Sequence, residues 1–240
     1  MQNMNTPAPK GANKAIVVGA VVVIVVLTLL AVAPVVYKAV MNSGVQTGGI
    51  ATEQASAATT DVNGEWSVVP SAEGNTTSVG YTFDEILPGE RRSTSGSTRA
   101  VTGSATVSED TVQPGAEMVA DLTQVETDQQ RRDVNVRRKL LETELYPEAR
   151  FRLTEPADLS EVPDDGTAAT VELTGEFTIK GVSNPISATF DVLRSGDAII
   201  LAGTIPFNRE DFGVKTPDFV AAKIAEDGEL NIRISMQKDD

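Results

Sequence analysis

The chain of 240 residues contains no cysteine and no histidine. Without cysteine, disulfides, zinc ribbons, iron–sulfur clusters and thiol nucleophiles are excluded. Without histidine, the usual general base at neutral pH and the commonest metal ligand are missing. Aromatic residues make up only 5 % of the chain, so any core is built mostly from Val, Ile, Leu and Ala. These absences argue against most enzyme chemistries, and we expect no enzyme, no cofactor and no metal.

Positive charge is also scarce, and it is unevenly distributed. The formal net charge of −14 argues against nucleic-acid binding, which needs a basic face to displace counterions. Residues 1–60 contain three lysines and one glutamate, whereas residues 61–240 carry 17 basic and 33 acidic side chains. The N-terminal quarter therefore differs in kind from the acidic remainder.

A long apolar run lies near the N-terminus. Residues Ala15–Val36 carry no charge and would span about 33 Å as a helix, enough to cross a bilayer core of about 30 Å. The alternative is a cleaved signal peptide, but Pro34 would follow the candidate cleavage site Ala31–Ala33 and would block it. Lys10 and Lys14 precede the run, which predicts a cytoplasmic N-terminus and an extracytoplasmic acidic part.

The sequence therefore divides into four predicted parts. They are a cytoplasmic segment (1–14), a transmembrane anchor (15–37), a flexible extracytoplasmic linker (38–61) and a folded domain (62–240). The linker is rich in Gly, Ser, Thr, Ala and Gln, a composition that buries too little apolar surface to offset its ordering entropy. We expect a single-pass protein of the cell membrane.

The folded domain has a hydrophobic period of two, which is typical of strands with one dry face. Turn clusters rich in Pro, Gly, Asp and Ser separate the runs. The resulting fold class is all-β, with about eight antiparallel strands that suit a barrel or a sandwich. The runs lie at 79–83, 99–108, 116–123, 149–154, 170–179, 186–192, 198–207 and 230–236.

Two segments break this period and predict short helices. Residues 129–145 space apolar side chains at helical intervals, and residues 218–224 form a short capped segment. Each is expected to cover one end of the barrel. The first contains five basic residues between Arg131 and Lys139, which either bind an anionic head group or form a solvated helix face paired with Glu142 and Glu144.

Several motifs in the domain resemble those of the YceI family, whose members have a lipocalin-like barrel that binds long isoprenoid lipids. The similarity runs in order through residues 65–237. It is carried by Ser78–Glu85, Val125–Thr127, Arg132–Asp133, Tyr146–Pro147 with Phe151, Gly175–Val182, Asn184–Ile186 and Phe207–Gly213. Many members have histidine two residues after the Arg-Asp pair, where this chain has Asn135.

The resemblance implies which residues contact a lipid. The lining of a lipid tunnel is expected to comprise Tyr81, Phe83, Phe151, Phe177, Ile179, Phe190, Phe207 and Phe212. The head-group candidates are Arg132, Asp133, Asn135 and Arg209. An ion pair between Arg209 and Asp211 at a barrel end is the structural alternative for that arginine. At position 135, a head-group contact through imidazole is either lost or replaced by the amide of Asn135.

The first hypothesis is therefore a membrane-anchored extracytoplasmic protein that holds or shuttles an isoprenoid-type lipid. An alternative is a barrel filled by its own side chains, which serves as a protein-interaction module of the bacterial envelope. A third is a hydrolase that uses carboxylates such as Glu126, Asp128 and Asp133, although nothing in the sequence places a substrate between them.

Overall fold

The structure is a computed structural model that describes residues 45–87, 90–216 and 223–239. The predicted cytoplasmic segment 1–14 and the predicted anchor 15–37 lie outside these residues. Within the described ranges, no helix combines the length and the apolar character needed to cross a membrane.

Fourteen strands form in the described part of the chain. They are β1 (Gly64–Val69), β2 (Ser71–Ala72), β3 (Asn75–Thr76), β4 (Ser78–Leu87), β5 (Glu90–Thr98), β6 (Val101–Ser108), β7 (Thr111–Val112), β8 (Glu117–Asp121), β9 (Glu148–Leu153), β10 (Ala157–Asp158), β11 (Ala168–Ile179), β12 (Val182–Ser195), β13 (Ala198–Asn208) and β14 (Lys223–Lys238).

Eight of these strands close into an antiparallel barrel. Pairing runs in the order β6, β8, β9, β11, β12, β13, β14, and β1 pairs with both β14 and β6. The strand β14 is long because its first part pairs with β4 and its last part with β1. The predicted all-β class and the eight-stranded antiparallel barrel are thus confirmed.

Each of the eight predicted runs overlaps a strand, although the runs 99–108, 116–123 and 149–154 extend one or two residues beyond β6, β8 and β9. The longer strands β1 and β5 lie outside the predicted runs. β5 reads Glu-Arg-Arg-Ser-Thr-Ser-Gly-Ser-Thr, which has no apolar alternation. Its residues Thr94–Thr98 are nevertheless buried, because β4 pairs along the whole strand.

The turn between β11 and β12 shows how local chemistry sets the register of the barrel. The two strands pair from Ala168 with Leu193 to Ile179 with Val182. Only Lys180 and Gly181 connect them, and both have positive φ, which matches the right-handed twist of a two-residue hairpin. This tight turn holds Ile179 at the end of the barrel that carries the helix.

The barrel interior has two apolar clusters that meet near the middle. One surrounds Trp66, which is 2 % exposed and donates from Nε1 to the carbonyl of Val62 at 2.8 Å. The other surrounds Phe83, Phe190 and Phe207. We call the region around Trp66 the filled half and the region around Phe83 the hollow half.

Residues 45–61 differ from the expected flexible linker. Asn75, which is fully buried, accepts from the backbone N–H of Ala51 at 2.7 Å and donates to its carbonyl at 3.0 Å. Ile50 and Ala55 pack on a cluster of Leu193, Ala198 and Ile200 on the barrel. A few apolar contacts and one amide therefore order a segment whose average composition predicts disorder.

The predicted helix at 129–145 is present but shorter. An α-helix, α1, spans Gln130–Asn135 and continues as a π-helical turn over Val136–Leu140. It ends before Glu142, which has a positive φ of 51°. The second predicted helix, at 218–224, lies largely outside the described residues, and Ile224 instead pairs with Glu85 as part of β14.

Candidate functional site

The hollow half contains a cavity of about 730 Å³. Its walls come from β4, β5, α1, the π-helical turn and the segment around Val214. Most of the lining is apolar: Val79, Phe83, Leu122, Val125, Val136, Leu140, Leu141, Ile179, Phe207, Val214, Ile224 and Leu230. The interior is therefore not filled by side chains, which counts against the alternative of a filled barrel.

A second and much smaller cavity of about 150 Å³ lies deeper, toward Trp66. It shares Val79, Ala120 and Leu230 with the main cavity, so the two are neighbours along the barrel interior. The aromatic residues Trp66, Phe151, Phe177 and Phe190 are among its lining. Phe190 lies where a side chain at Gly203 would be, since a Cβ there would come within 2.6 Å of the ring.

Seven of the eight residues predicted to line a tunnel face one of these two cavities. Tyr81, Phe83, Ile179 and Phe207 line the main cavity. Phe151, Phe177 and Phe190 line the deeper one. The alternation of apolar residues along β4, β9, β11, β12 and β13 was a sufficient signal for these positions.

Phe212 is the exception. It lines neither interior cavity but a surface crevice of about 450 Å³ between β12 and β13. These strands pair only from Asp191–Ser195 with Ala198–Ala202, and residues 184–186 of β12 and 205–208 of β13 border the crevice. Phe212 stacks on Phe207, with ring centroids 4.9 Å apart, and meets Phe177 edge-on at 5.4 Å. The three rings separate the crevice from the interior.

The helix α1 and the π-helical turn bring basic side chains to the main cavity. Arg131, Arg132 and Lys139 all line it. Arg131 and Lys139 are exposed and form no ion pair with any residue that the structure describes. The sequence predicts Arg132 as a head-group contact, whereas Arg131 and Lys139 are only members of the same basic run. That run was the available signal for all three residues.

Arg132 is paired with carboxylates of the protein itself. Its guanidinium pairs with Asp128 on the same turn of chain and lies 4.0 Å from Glu85 on β4. These contacts fasten the start of α1 to the barrel wall, and they offset the charge that a head group would meet there.

Asp133 was predicted to contact a head group, but its position is structural. It is 7 % exposed and does not belong to the lining of the main cavity. Its Oδ1 accepts from the backbone N–H of Thr127 at 2.7 Å and from the Thr127 hydroxyl at 2.6 Å. The carboxylate thereby ties α1 to the segment that precedes it.

Arg209 is also held by the protein, with a partner other than the one expected. It is 5 % exposed and donates to the carbonyls of Val214 at 2.8 Å and Ala225 at 3.0 Å. Its ion pair is with Glu210, at 3.3 Å, and not with Asp211. Of the four head-group candidates, Asn135 alone lines the cavity with an exposed side chain.

Two hydroxyl groups in the main cavity were not singled out from the sequence. Tyr81 Oη and Thr94 Oγ1 are buried and have no hydrogen-bond partner in the described structure, and both residues line the cavity. Burial raises the pKa of the Tyr81 phenol above its ordinary value, and the nearby Arg132 opposes that shift only in part. Thr94 carries no sequence signal, because it lies in the strand that the pattern missed.

A comparison with models of known protein families shows which family this barrel belongs to. The YceI-like domain model matches residues 66–236, which is more than half of the chain. The chain belongs to the YceI-like family. The resemblance recognised in the sequence motifs is therefore correct at the level of the family. A comparison with curated proteins gave no match.

Two solved structures share the YceI-like fold. One is a polyisoprenoid binding domain from Saccharophagus degradans implicated in plant cell wall breakdown, with 16 % identity, a TM-score of 0.55, and coverage of 72 % of this chain and 98 % of that one. The other is BcnA from Burkholderia cenocepacia, with 17 % identity, a TM-score of 0.51, and coverage of 65 % and 95 %.

Proposed function

We propose that this protein binds an isoprenoid-type lipid in the main cavity of its barrel. The observation that carries the proposal is the cavity of about 730 Å³ with its largely apolar lining. A volume of this size falls in the range of about 300–1,000 Å³ that accommodates small-molecule ligands. The polyisoprenoid binding domain of Saccharophagus degradans, which shares the fold, supports an isoprenoid as the ligand class.

Burial of the hydrocarbon would supply the affinity. Transfer of apolar surface from water is favourable by about 0.8 kcal/mol for each buried CH₂ group. The deeper cavity beside Val79 and Leu230 offers the end of the chain a continuation toward the filled half. Binding would therefore need no reaction and no metal, and the proposal is a carrier or holder of lipid.

The membrane part of the proposal rests on the sequence. The uncharged run Ala15–Val36 is long enough to anchor the chain in a bilayer, with the N-terminus cytoplasmic and the barrel on the extracytoplasmic side. An anchor of this kind would keep the barrel close to the bilayer that supplies the lipid.

The test is a binding titration of residues 45–240 with a polyprenol, followed by native mass spectrometry. We expect one lipid per barrel. The variant Leu140→Asp places a carboxylate in the apolar lining and should weaken binding by roughly tenfold or more, because the lipid would strip water from the charge.

The matched control is Val134→Asp. Val134 lies on the same helical stretch, is 46 % exposed and does not line the cavity, so this variant should bind as the unmodified protein does. A barrel that stays free of lipid at every polyprenol concentration, or equal binding by both variants, would contradict the proposal.

A further inference from the structure

The two unpartnered hydroxyls in the main cavity stand apart from other buried hydroxyls on the same strands. Ser95 on β5 bonds to the Thr82 hydroxyl at 2.9 Å, and Thr98 Oγ1 accepts from the backbone N–H of Ala100 at 3.1 Å. In contrast, Tyr81 Oη and Thr94 Oγ1 are buried with no partner in the described structure. The neighbouring hydroxyls thus have partners within the protein, whereas these two, on residues that line the cavity, have none in the described structure.

The strand register explains why both hydroxyls lie on the same wall. Tyr81 pairs with Gly96, and Phe83 pairs with Thr94, so the tyrosine and the threonine lie on the inner rows of adjacent strands. A Cβ at Gly96 would come within 2.7 Å of Tyr81 Oη. The absence of a side chain at position 96 therefore makes the space in which the phenol hydroxyl sits.

A lipid that fills the cavity changes the environment of these hydroxyls. Hydrocarbon expels water and offers no acceptor, so each buried hydroxyl that stays unpaired weakens binding. An isoprenoid that carries an oxygen at this depth restores a hydrogen bond. Sites that present polar groups to a ligand discriminate strongly against the analogue that lacks the matching atom.

The charges near Tyr81 disfavour a charged head group at this depth. Arg132 is the positive group that acts on the phenol, and Asp133, Glu85 and Asp128 act on it with negative charge. Arg132 itself contacts Asp128 and Glu85. A phosphate beside Tyr81 would therefore meet more carboxylates than free bases, whereas an uncharged oxygen would not.

Resting on the proposed function, we propose that the main cavity selects isoprenoids with an uncharged hydroxyl or carbonyl oxygen, which Tyr81 and Thr94 bind inside the barrel. The oxygen-bearing end of the lipid then enters the barrel and contacts the wall formed by β4 and β5.

The test compares three ligands that share one hydrocarbon chain: geranylgeraniol, the corresponding hydrocarbon without the hydroxyl, and geranylgeranyl diphosphate. Affinities for residues 45–240 are measured by displacement of a fluorescent fatty-acid probe. We expect the alcohol to bind about tenfold more tightly than the hydrocarbon, and more tightly than the diphosphate.

The variants Tyr81→Phe and Thr94→Val remove the hydroxyls with little change in shape. Each should reduce the preference for the alcohol, because the alcohol loses its partner and the hydrocarbon no longer leaves that hydroxyl unpaired. Binding of the hydrocarbon at least as tight as in the unmodified protein also shows that the barrel is folded. Tyr146→Phe is the matched control, because Tyr146 is exposed and does not line the cavity, and it should keep the full preference.

The outcomes separate this inference from the function on which it rests. Equal affinity for the alcohol and the hydrocarbon, or a preference for the diphosphate that Tyr81→Phe leaves intact, overturns the hydroxyl site while lipid binding stands. Failure of all three ligands and of longer polyprenols to bind overturns the proposed function as well.

Discussion

The filled half and the hollow half of the barrel share β14 as a wall but differ in the strands beside it. In the filled half, β1 lies between β14 and β6 and contributes Trp66 to the interior. In the hollow half, β4 and β5 take that place, and the residues of β5 that line the cavity are Thr94, Gly96 and Thr98. The small side chains of β5 leave space in the hollow half, whereas the indole of Trp66 on β1 fills the interior of the filled half.

This difference indicates that the packing that stabilises the barrel and the proposed lipid site lie in separate parts of it. A packed interior gains from every contact between its side chains. The residues that line a cavity have partners on one side only and forfeit part of that gain. The hollow half therefore has fewer stabilising contacts between its side chains, and the filled half provides the packing that keeps the barrel closed.

The largest effect expected from this comparison is that of Trp66→Ala. It removes a side chain that is 2 % exposed and hydrogen-bonded to Val62. Loss of a packed aromatic should lower the free energy of unfolding by about 3–5 kcal/mol, measured by urea unfolding followed by circular dichroism. Trp66→Phe, which keeps a ring, should cost clearly less, and equal losses for both variants would contradict a packing role.

A smaller loss of stability is expected from Phe83→Ala. Phe83 is almost as buried, at 8 % exposure, but its ring borders the main cavity, so fewer contacts are lost than in a packed core. We expect about 1–3 kcal/mol in the same urea experiment. A loss as large as that of Trp66→Ala would remove the distinction between the two halves.

Much of the fold follows from the sequence because the period of two is strong where one face is apolar. Val171, Phe177 and Ile179 on β11 illustrate this, since they alternate with polar residues and all face the interior. β5 escapes the pattern because its inner residues are Thr and Gly. Only pairing with β4 and the bridge of Ser97 to Glu126 define it as a strand, and such tertiary contacts leave no local trace.

The site was predictable to a lesser degree. Aromatic residues of regular strands could be assigned to the inner face because strand alternation fixes which face they occupy. The contacts of the charged candidates could not be predicted in the same way. Asp133 and Arg209 are both charged and near the cavity, but their hydrogen bonds go to Thr127 and to backbone carbonyls. Whether a charged side chain bonds to other groups of the protein depends on contacts between segments that are distant in the sequence.

We propose that the hollow half binds the lipid and that packing in the filled half stabilises the barrel. Hydrogen exchange of residues 45–240, measured with and without a saturating polyprenol, distinguishes the two halves. We expect slower exchange in β4, β5 and the stretch Gln130–Leu140 on lipid addition, with little change in β1 and β6. Unchanged exchange across the hollow half with lipid bound, or protection confined to β1 and β6, would contradict it.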